Sequence, residues 1–540
     1  MTPHMYLFRR KRKHVNMENK TQEQPLNESL AALRRFKESR GDAFPILHGD
    51  KTLGVEHTRR LLESRHLGRI TGEWYFITYR DHFVSDWYRA FWHFVAAYCG
   101  SMFGEDGWVL AADDSLLFRA GGGVIPRHLT VRSGCAENIF TWLPGGHELV
   151  EVRGSDPAEP CGGANIETEP RYGVRLYGLN RALLTASPGF WREHPTDART
   201  CLAMVQDTGG LVDLALRKGL FEGACRVAGG LRSIGNPWYA DYIMGRLRES
   251  GRRLEEENPF SEDIAVPMET CAVATRMRLM WRSMHPAVLE AKGGIAVKPV
   301  DRTPGEILRM TAEAYPEDIF NSLGLDGYTV DKEAAEKARS DPEFNPEDWG
   351  HDLESSCATL GYARAFDNAV SRLLNLMTGG SDGAAWITDG DFLVGLFDYL
   401  TYPVFNAGVW DWEELVFWYR DTPFHVRNSR HIPPEPGALD RAMDVFRELF
   451  TGEGDAFVRA VMGHFLIAWL HPFQAGNGLV ARLLMNTQLV AGGYPWTVIP
   501  EMWEEKYDNA LEKACVEMDI TDFAKLMAEF VGRSLETDEP

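Results

Sequence analysis

Paired cysteines, metal-ligand clusters and long apolar runs are all missing from this sequence. Its eight cysteines include no CxxC pair, which favours reduced, packed thiols. No HExxH motif or paired Cys/His cluster occurs, so we expect no structural zinc site. The longest useful apolar stretch, residues 460–470, is interrupted by His464 and is far shorter than the roughly 18 residues that cross a bilayer. Because the basic first twenty residues also lack a secretory signal, we expect a cytoplasmic protein without a membrane span.

What is present is an ordinary folded composition with an uneven charge. The 540 residues are 44% hydrophobic, 25% charged and 11% aromatic, and a chain of this length normally folds as several domains. The formal net charge is −21, yet residues 1–70 carry 15 Lys/Arg against 8 Asp/Glu. Since an acidic body repels polyanions, any contact with DNA has to be made by this basic N-terminal part.

The N-terminal part is predicted to be a disordered basic tail, residues 1–25, followed by a winged helix-turn-helix, residues 26–81. Helical spacing of apolar residues predicts helices over 27–38 and 55–66, and two β-prone runs around a Gly-Glu turn predict a hairpin over 67–77. Three arginines lie on the second helix: Arg59, Arg60 and Arg65. This order of elements is typical of DNA-binding winged helices, but basic helices can equally be solvated surface.

Residues 82–153 are predicted to form a small α/β segment. It begins with an aromatic helix over 87–99, and short β-prone pieces follow around residues 108–110, 116–118 and 128–131. The glycines at 121–123 lack the following Lys-Ser/Thr of a phosphate loop and predict a plain turn. Element order and residues such as Asp114-Ser115-Leu116 weakly resemble the N-terminal half of type IV abortive-infection antitoxins, whose winged helix regulates transcription.

Residues 154–349 are predicted to be a helical linker region of unknown role. They open with a Gly/Pro-rich stretch, 154–169, and end in a polar stretch from 331. No group of residues with recognisable chemistry lies between the two.

The chemistry lies near the C-terminus. Residues 456–470 are apolar almost all round, which predicts a helix at the centre of a bundle, and the loop 471–478 (HPFQAGNG) separates it from a second helix. The glycines flanking Asn477 allow backbone N–H groups to face an anion at the N-terminus of that second helix. Arg482, one turn further on, points back toward the same end. His471 is a candidate general base acting on a hydroxyl.

This pattern, His-Pro-Phe-x-x-Gly-Asn-Gly-x-x-x-Arg, resembles the signature of the Fic (Fido) family, helical enzymes that typically transfer AMP from ATP to a protein hydroxyl. The resemblance covers roughly residues 350–535 and implies an all-helical Fic domain with a β-hairpin flap. It implies that His471 is the catalytic base. It also implies a phosphate-binding set, namely Gly476, Asn477, Gly478 and Arg482. The target-docking flap is implied at four residues: Arg427, Asn428, Ser429 and His431.

Two positions depart from the family pattern. Ala475 stands where the family usually has the carboxylate that holds magnesium, and an alanine offers no oxygen ligand. Leu479 stands where the family usually has an arginine near the polyphosphate. Since removing one preorganised charge contact often costs about 10²-fold to 10³-fold in rate, we expect ATP as donor, a weak or absent role for Mg²⁺, and slow or altered catalysis.

A third resemblance concerns regulation. Many Fic proteins carry an inhibitory helix with the pattern Ser/Thr-x-x-x-Glu-Gly/Asn, and Ser356 to Gly361 fits its spacing with Leu360 in place of the glutamate. A leucine cannot pair with the last arginine of the motif. The resemblance therefore implies either a site that is constitutively open to nucleotide or a coincidental match.

The predicted fold class is mainly α and multidomain, with a C-terminal Fic bundle, an N-terminal winged helix and a small α/β segment. The first functional hypothesis is a nucleotidyltransferase that modifies Ser, Thr or Tyr of a protein partner. The second is a catalytically lapsed Fic scaffold fused to a DNA-binding regulator of the transcriptional or toxin–antitoxin type. The third is a Fic-fold enzyme with a different donor or reaction.

Overall fold

The chain folds into two compact units, each of which is described by itself. The computed structural model describes residues 20–40, 46–48, 50–78, 83–154, 165–295, 299–349, 352–379, 392–411 and 418–537. Unit 1 contains the chain up to Ala272 together with His425–Ile432, and unit 2 contains Val273–Phe424 and the chain from Pro433 onward. The predicted region 154–349 is therefore divided between the two units after residue 272.

Unit 1 begins with a small helix-and-sheet module. Its elements are α1 (Lys20–Arg40), β1 (Ile46–His48), α2 (Asp50–Leu53), α3 (Val55–Glu63), β2 (Leu67–Thr71) and β3 (Trp74–Ile77). The strands form an antiparallel sheet in the order β1-β3-β2, and Leu61 and Tyr75 lie in the core beneath it. Helix α1 already starts at Lys20, so residues 20–25 are helical rather than part of a disordered tail, and residues 1–19 lie outside the described residues.

A second sheet of unit 1 packs on a long aromatic helix. The elements are α4 (Phe83–Phe103), β4 (Trp108–Leu110), α5 (Ala112–Arg119), β5 (His128–Ser133), β6 (Phe140–Leu143) and β7 (His147–Arg153). The strand order is β4-β5-β7-β6, with β5 and β7 parallel and the outer pairs antiparallel. Alternate strand residues such as Leu129 and Leu149 share one core with Trp87, Phe91 and Phe94 of α4.

One strand expectation in this segment is wrong. Leu116–Phe118 lie in helix α5, with Leu116 fully buried. A run of three apolar residues does not by itself distinguish a strand from a buried helix. Asp113 and Asp114 in the first turn favour the helix, because carboxylates are stabilised near a helix N-terminus.

The remainder of unit 1 is a two-stranded ribbon and a group of short helices. These are β8 (Ile166–Thr168), β9 (Arg175–Tyr177), α6 (Leu179–Thr185), α7 (Pro188–Glu193), α8 (Pro195–Ala203), α9 (Thr208–Lys218), α10 (Phe221–Ser233) and α11 (Pro237–Glu249). Capping side chains fix the starts of two of these helices. Ser187 accepts a hydrogen bond from Phe190 N at α7, and Asp207 accepts one from Gly210 N at α9.

Unit 2 is helical. Its long elements are α12 (Ala272–Gly293), α13 (Pro304–Leu325), α14 (Lys332–Ser340), α15 (Leu353–Gly379), α16 (Phe392–Asn406), α17 (Leu439–Thr451), α18 (Ala456–Leu470), α19 (Asn477–Ala491), α20 (Glu504–Glu517) and α21 (Thr521–Thr537). Helix α18 is buried on almost every face, as its apolar sequence predicts, and it packs against α19. The mainly helical, multidomain fold class is confirmed.

Seven of the eight cysteines lie in the described part of the chain. None of its seven cysteines forms a disulfide, and its helices include none with the length and apolar character needed to span a bilayer.

Candidate active site

The candidate site begins where helix α18 ends. His471 precedes a proline, and this placement disfavours the right-handed helical conformation, so the helix stops at Leu470. His471 adopts a left-handed conformation with φ 43°, while its N–H still donates to Ile467 O at 2.9 Å. Its ring lies against that of Phe424, with 4.9 Å between ring centroids. The histidine thus sits at a sharp turn of the chain with its ring half-buried.

The loop after His471 is closed by the side chain of Asn477. Its Oδ1 accepts from Phe473 N at 2.9 Å, and its Nδ2 donates to Phe473 O at 2.8 Å. The Phe473 ring is fully buried and stacks on Phe397 with centroids 4.9 Å apart. The Asn477 side chain therefore shapes the loop through both of its amide atoms.

Helix α19 starts directly from this loop. Gly476 is its N-cap with φ 66°, a left-handed conformation that glycine adopts without steric cost. A Cβ on Gly478 would lie 2.8 Å from Asp326 Oδ1 and 3.0 Å from Arg482 Nη1, so charged side chains approach the backbone closely here. The arrangement is a helix N-terminus of the kind that binds anions.

Arg482 reaches back to this N-terminus, but its guanidinium already has partners. The side chain is 3% exposed, and Nη2 donates to Ser322 O at 2.8 Å and to Asp326 Oδ1 at 2.6 Å. Burial lowers the pKa of Arg482, but the Asp326 carboxylate and two nearby tyrosines raise that pKa by more, so the guanidinium stays charged. The predicted phosphate-binding arginine is therefore held in an internal ion pair.

Asp326 is the residue that the sequence reasoning missed. It follows the last residue of helix α13, and its side chain is 21% exposed. A carboxylate at a helix C-terminus is disfavoured by the helix dipole, so its pairing with Arg482 compensates a locally unfavourable position. Nothing in the local sequence connects Asp326 with a motif 156 residues away. Its carboxylate lies beside Gly478 at the N-terminus of α19.

A buried polar network continues behind Arg482. The Tyr507 hydroxyl hydrogen-bonds His464 Nε2 at 2.7 Å, and burial lowers the pKa of His464 to about 3. Burial raises the pKa of Tyr507 to about 12. Both side chains are thus neutral at physiological pH. His464 supports the packing of the site and adds no positive charge for phosphates.

The two departures from the family pattern are both buried positions. Ala475 is 6% exposed and Leu479 is 4% exposed. Among the described residues, no cluster of three or more His, Cys, Asp or Glu could hold a metal ion. Magnesium prefers oxygen ligands, and Ala475 supplies none at this position of the loop.

The four predicted flap residues belong to unit 1. Asn428 has φ 56°, and His431 N donates to Ser429 Oγ at 2.9 Å, so these residues form a turn. The expected β-hairpin is not formed, because the described residues 418–434 contain no paired strands. Arg427 is exposed and His431 is buried. The next residue, Ile432, donates its N–H to Gly123 O at 2.7 Å. The glycine turn at 121–123 thus fixes the end of the flap.

The predicted regulatory segment forms the first turns of α15. Ser356 Oγ donates to Trp349 O at 2.5 Å, and Leu360 is buried. A Cβ on Gly361 would come within 2.3 Å of Leu400 O, so this glycine allows α15 and α16 to pack closely. The anionic partner of Arg482 comes from the end of α13 instead of from this helix.

In unit 2, two buried helices, α18 and α19, are joined by a glycine-containing loop that begins at His471. A model of the Fic/DOC family matches residues 407–489. The chain therefore contains a segment that is similar to the Fic/DOC family.

Several curated relatives carry the name protein adenylyltransferase Fic. The protein from Drosophila melanogaster is 26% identical over 364 residues, which are 63% of this chain and 66% of the relative. The protein from Aedes aegypti is 30% identical over 246 residues, 45% of each chain. The chain therefore spans slightly less than two thirds of the Drosophila relative and less than half of the Aedes relative. Among solved structures, Fic-1 from C. elegans covers 67% of this chain and 91% of its own at 17% identity, with a TM-score of 0.34.

Proposed function

We propose that this protein is a Fic-type nucleotidyltransferase that transfers AMP from ATP to a Ser, Thr or Tyr hydroxyl of a protein partner. The observation that carries the proposal is the loop itself. A histidine at the end of one buried helix, a glycine-rich turn and the N-terminus of the next helix are held in one rigid arrangement. The names of the curated relatives support the same donor and the same kind of target.

In the proposed reaction, His471 accepts the proton of the attacking hydroxyl. The hydroxyl oxygen forms a bond to the α-phosphorus of ATP, and the bond from that phosphorus to the bridging oxygen breaks, so that pyrophosphate leaves. Backbone N–H groups at Gly476–Gly478 stabilise the added negative charge. Arg482 binds the β- and γ-phosphates once Asp326 has moved aside.

The resting enzyme is proposed to be slow. Ala475 supplies no metal ligand, Leu479 supplies no charge, and Asp326 occupies the arginine that the phosphates need. Each of these removes or masks one electrostatic contact in the transition state, where a single contact is typically worth about 10²-fold to 10³-fold in rate. Weak dependence on Mg²⁺ stays a prediction.

The alternative of a lapsed Fic scaffold rests on the same Asp326–Arg482 pair. Its DNA-binding part has less support, because Arg59 pairs with Glu56 and Glu63, and Arg60 with Glu56, all on the same helix. These ion pairs cancel much of the positive charge that DNA phosphates would meet. DNA binding through this module and a cytoplasmic location stay predictions.

The test is incubation of the purified protein with labelled ATP, with and without Mg²⁺ or Mn²⁺, followed by intact-mass analysis. We expect a slow gain of one AMP group in the wild type and none in His471→Ala. Equal labelling of the two proteins would place the chemistry outside this loop. No labelling under any condition would favour the lapsed scaffold.

A further inference from the structure

A buried arginine outside the motif holds the catalytic loop. Arg420 is 2% exposed and lies in a non-helical stretch before the flap. Its Nε donates to His471 O at 2.6 Å and its Nη2 to Leu470 O at 3.3 Å, while its own backbone N–H donates to Pro472 O at 2.9 Å. Three consecutive carbonyl groups at the end of α18 therefore bind one residue.

These carbonyls need a partner for a general reason. The last carbonyls of an α-helix have no intrahelical donor, and in a buried helix end they must be satisfied from elsewhere. A guanidinium is suited to this task, since it presents several donors in a rigid plane and its charge is favoured at a helix C-terminus. Arg420 thus acts as a cap for α18 that comes from a distant part of the chain.

The same guanidinium also binds both ends of the segment that carries the predicted flap. Nη1 donates to Thr422 O at 2.9 Å, and Nη2 donates to Pro434 O at 2.5 Å. Thr422 precedes the flap residues and Pro434 follows them in the chain. The Arg420 side chain therefore connects His471, the residue proposed as the base, with Thr422 and Pro434 on either side of the flap residues.

We propose that Arg420 is a positioning residue that holds His471 and the two ends of the flap segment in the register needed for transfer to a target hydroxyl. The expected loss of AMP transfer rests on the proposed function, whereas the expected loosening of the loop and of the flap ends rests on the structure alone. Since these bonds of Arg420 hold the loop entry and the flap ends, its loss should misplace the base while leaving the N-terminus of α19 intact. A misplacement of about 1 Å typically costs about 10²-fold in rate.

The experiment compares Arg420→Lys with Arg459→Lys. Arg459 is a matched control, because it is also buried, at 4% exposed, and binds Glu453 O and Gln488 Oε1 at the opposite end of α18. In Arg420→Lys we expect the turnover number for AMP labelling to fall about 10²-fold, with the KM and Kd for ATP within about threefold of wild type. In Arg459→Lys we expect turnover within about threefold of wild type.

Amide hydrogen exchange provides a readout that does not depend on catalysis. Exchange in residues 422–434 and 470–474 should accelerate in Arg420→Lys and stay at the wild-type rate in Arg459→Lys. If Arg420→Lys does not fold, Arg420→Gln, which removes the buried charge, takes its place in both assays. Wild-type exchange at these segments in a folded Arg420 variant would overturn the proposal. Equal losses of turnover and of ATP affinity would also overturn it, whereas accelerated exchange in a chain that never labels would refute only the proposed function.

Discussion

Replacement of Asp326 by asparagine should open the nucleotide site. The Asp326 carboxylate lies 2.6 Å from the guanidinium of Arg482 and next to the position where a Cβ of Gly478 would be. A phosphate entering this space meets a like charge at about 4 Å, a repulsion of about 4 kcal/mol at an effective dielectric constant of about 20. Because Asp326 is 21% exposed and can partly turn toward solvent, about 1.5 to 3 kcal/mol of this should appear in binding.

Isothermal titration calorimetry measures the effect directly. We expect Asp326→Asn to bind ATP about 10 to 100 times more tightly than wild type. The same substitution leaves the buried guanidinium without its counter-ion, so the melting temperature without ATP should fall. Saturating ATP should then raise the melting temperature of the variant by more than it raises that of wild type.

A control removes the carboxylate of a more exposed ion pair elsewhere in unit 2. Asp367 pairs with Arg339 at 2.9 Å on α15 and α14, away from the loop. Asp367→Asn should leave ATP affinity within about twofold of wild type. If Asp326→Asn binds ATP no more tightly than Asp367→Asn does, the carboxylate does not obstruct the site and the reasoning is refuted.

Three further predictions concern the loop, the flap and the buried carboxylate beside Tyr362. Ala475→Asp should make AMP labelling rise with Mg²⁺, because it adds an oxygen ligand at the loop; unchanged labelling at saturating Mg²⁺ would favour a remodelled site. Adding Leu479→Arg to this variant should lower the melting temperature, because residue 479 is only 4% exposed and the added charge would be buried. Gly123→Ala should accelerate amide exchange in residues 425–432, because its Cβ would lie 2.5 Å from Ile432 O. Gly146→Ala is the control, since Gly146 has a similar φ but open space around it, and it should leave this exchange unchanged. Equal exchange in the two variants would argue that Gly123 does not anchor the flap. Burial raises the pKa of Asp318, whose carboxylate accepts from the Tyr362 hydroxyl, from 3.8 to about 6, so its contribution to the free energy of unfolding should decline as pH rises from about 4 to 6. In urea titrations, Asp318→Asn should make the free energy of unfolding depend less on pH over this range. An unchanged pH dependence would contradict the raised pKa of Asp318.

The parts of the fold that the sequence predicts are those with a strong local signal. Helix α18 is apolar on almost every face, and Pro472 stops it at the predicted place, so the helix and the loop after it follow from the sequence. The hairpin β2–β3 follows from β-prone runs around a glycine turn. Leu116–Phe118 gave no such signal, because three apolar residues fit a strand and a helix equally well.

The contacts that modify the site could not be predicted in this way. Asp326 and Arg420 reach the loop from 156 and 51 residues away, and each is a single charged residue in an unremarkable stretch. Their positions depend on how α13 and the chain before the flap pack in three dimensions. The side chain of Asn477 is a similar case, since its two bonds to Phe473 depend on the closed shape of the loop. The motif at residues 471–482 is recognisable from the sequence, whereas packing decides which of its side chains and backbone groups are available to a ligand.

Intact-mass analysis of Asp326→Asn and of Asp326→Asn combined with His471→Ala, both incubated with ATP, tests the central claim most directly. The claim is that this Fic loop is a nucleotide-transfer site that Asp326 holds closed and in which His471 is the base. We predict that the single variant gains one AMP group faster than wild type and that the double variant gains none. Equal labelling of both variants, or no labelling of a single variant that binds ATP tightly, would contradict the claim.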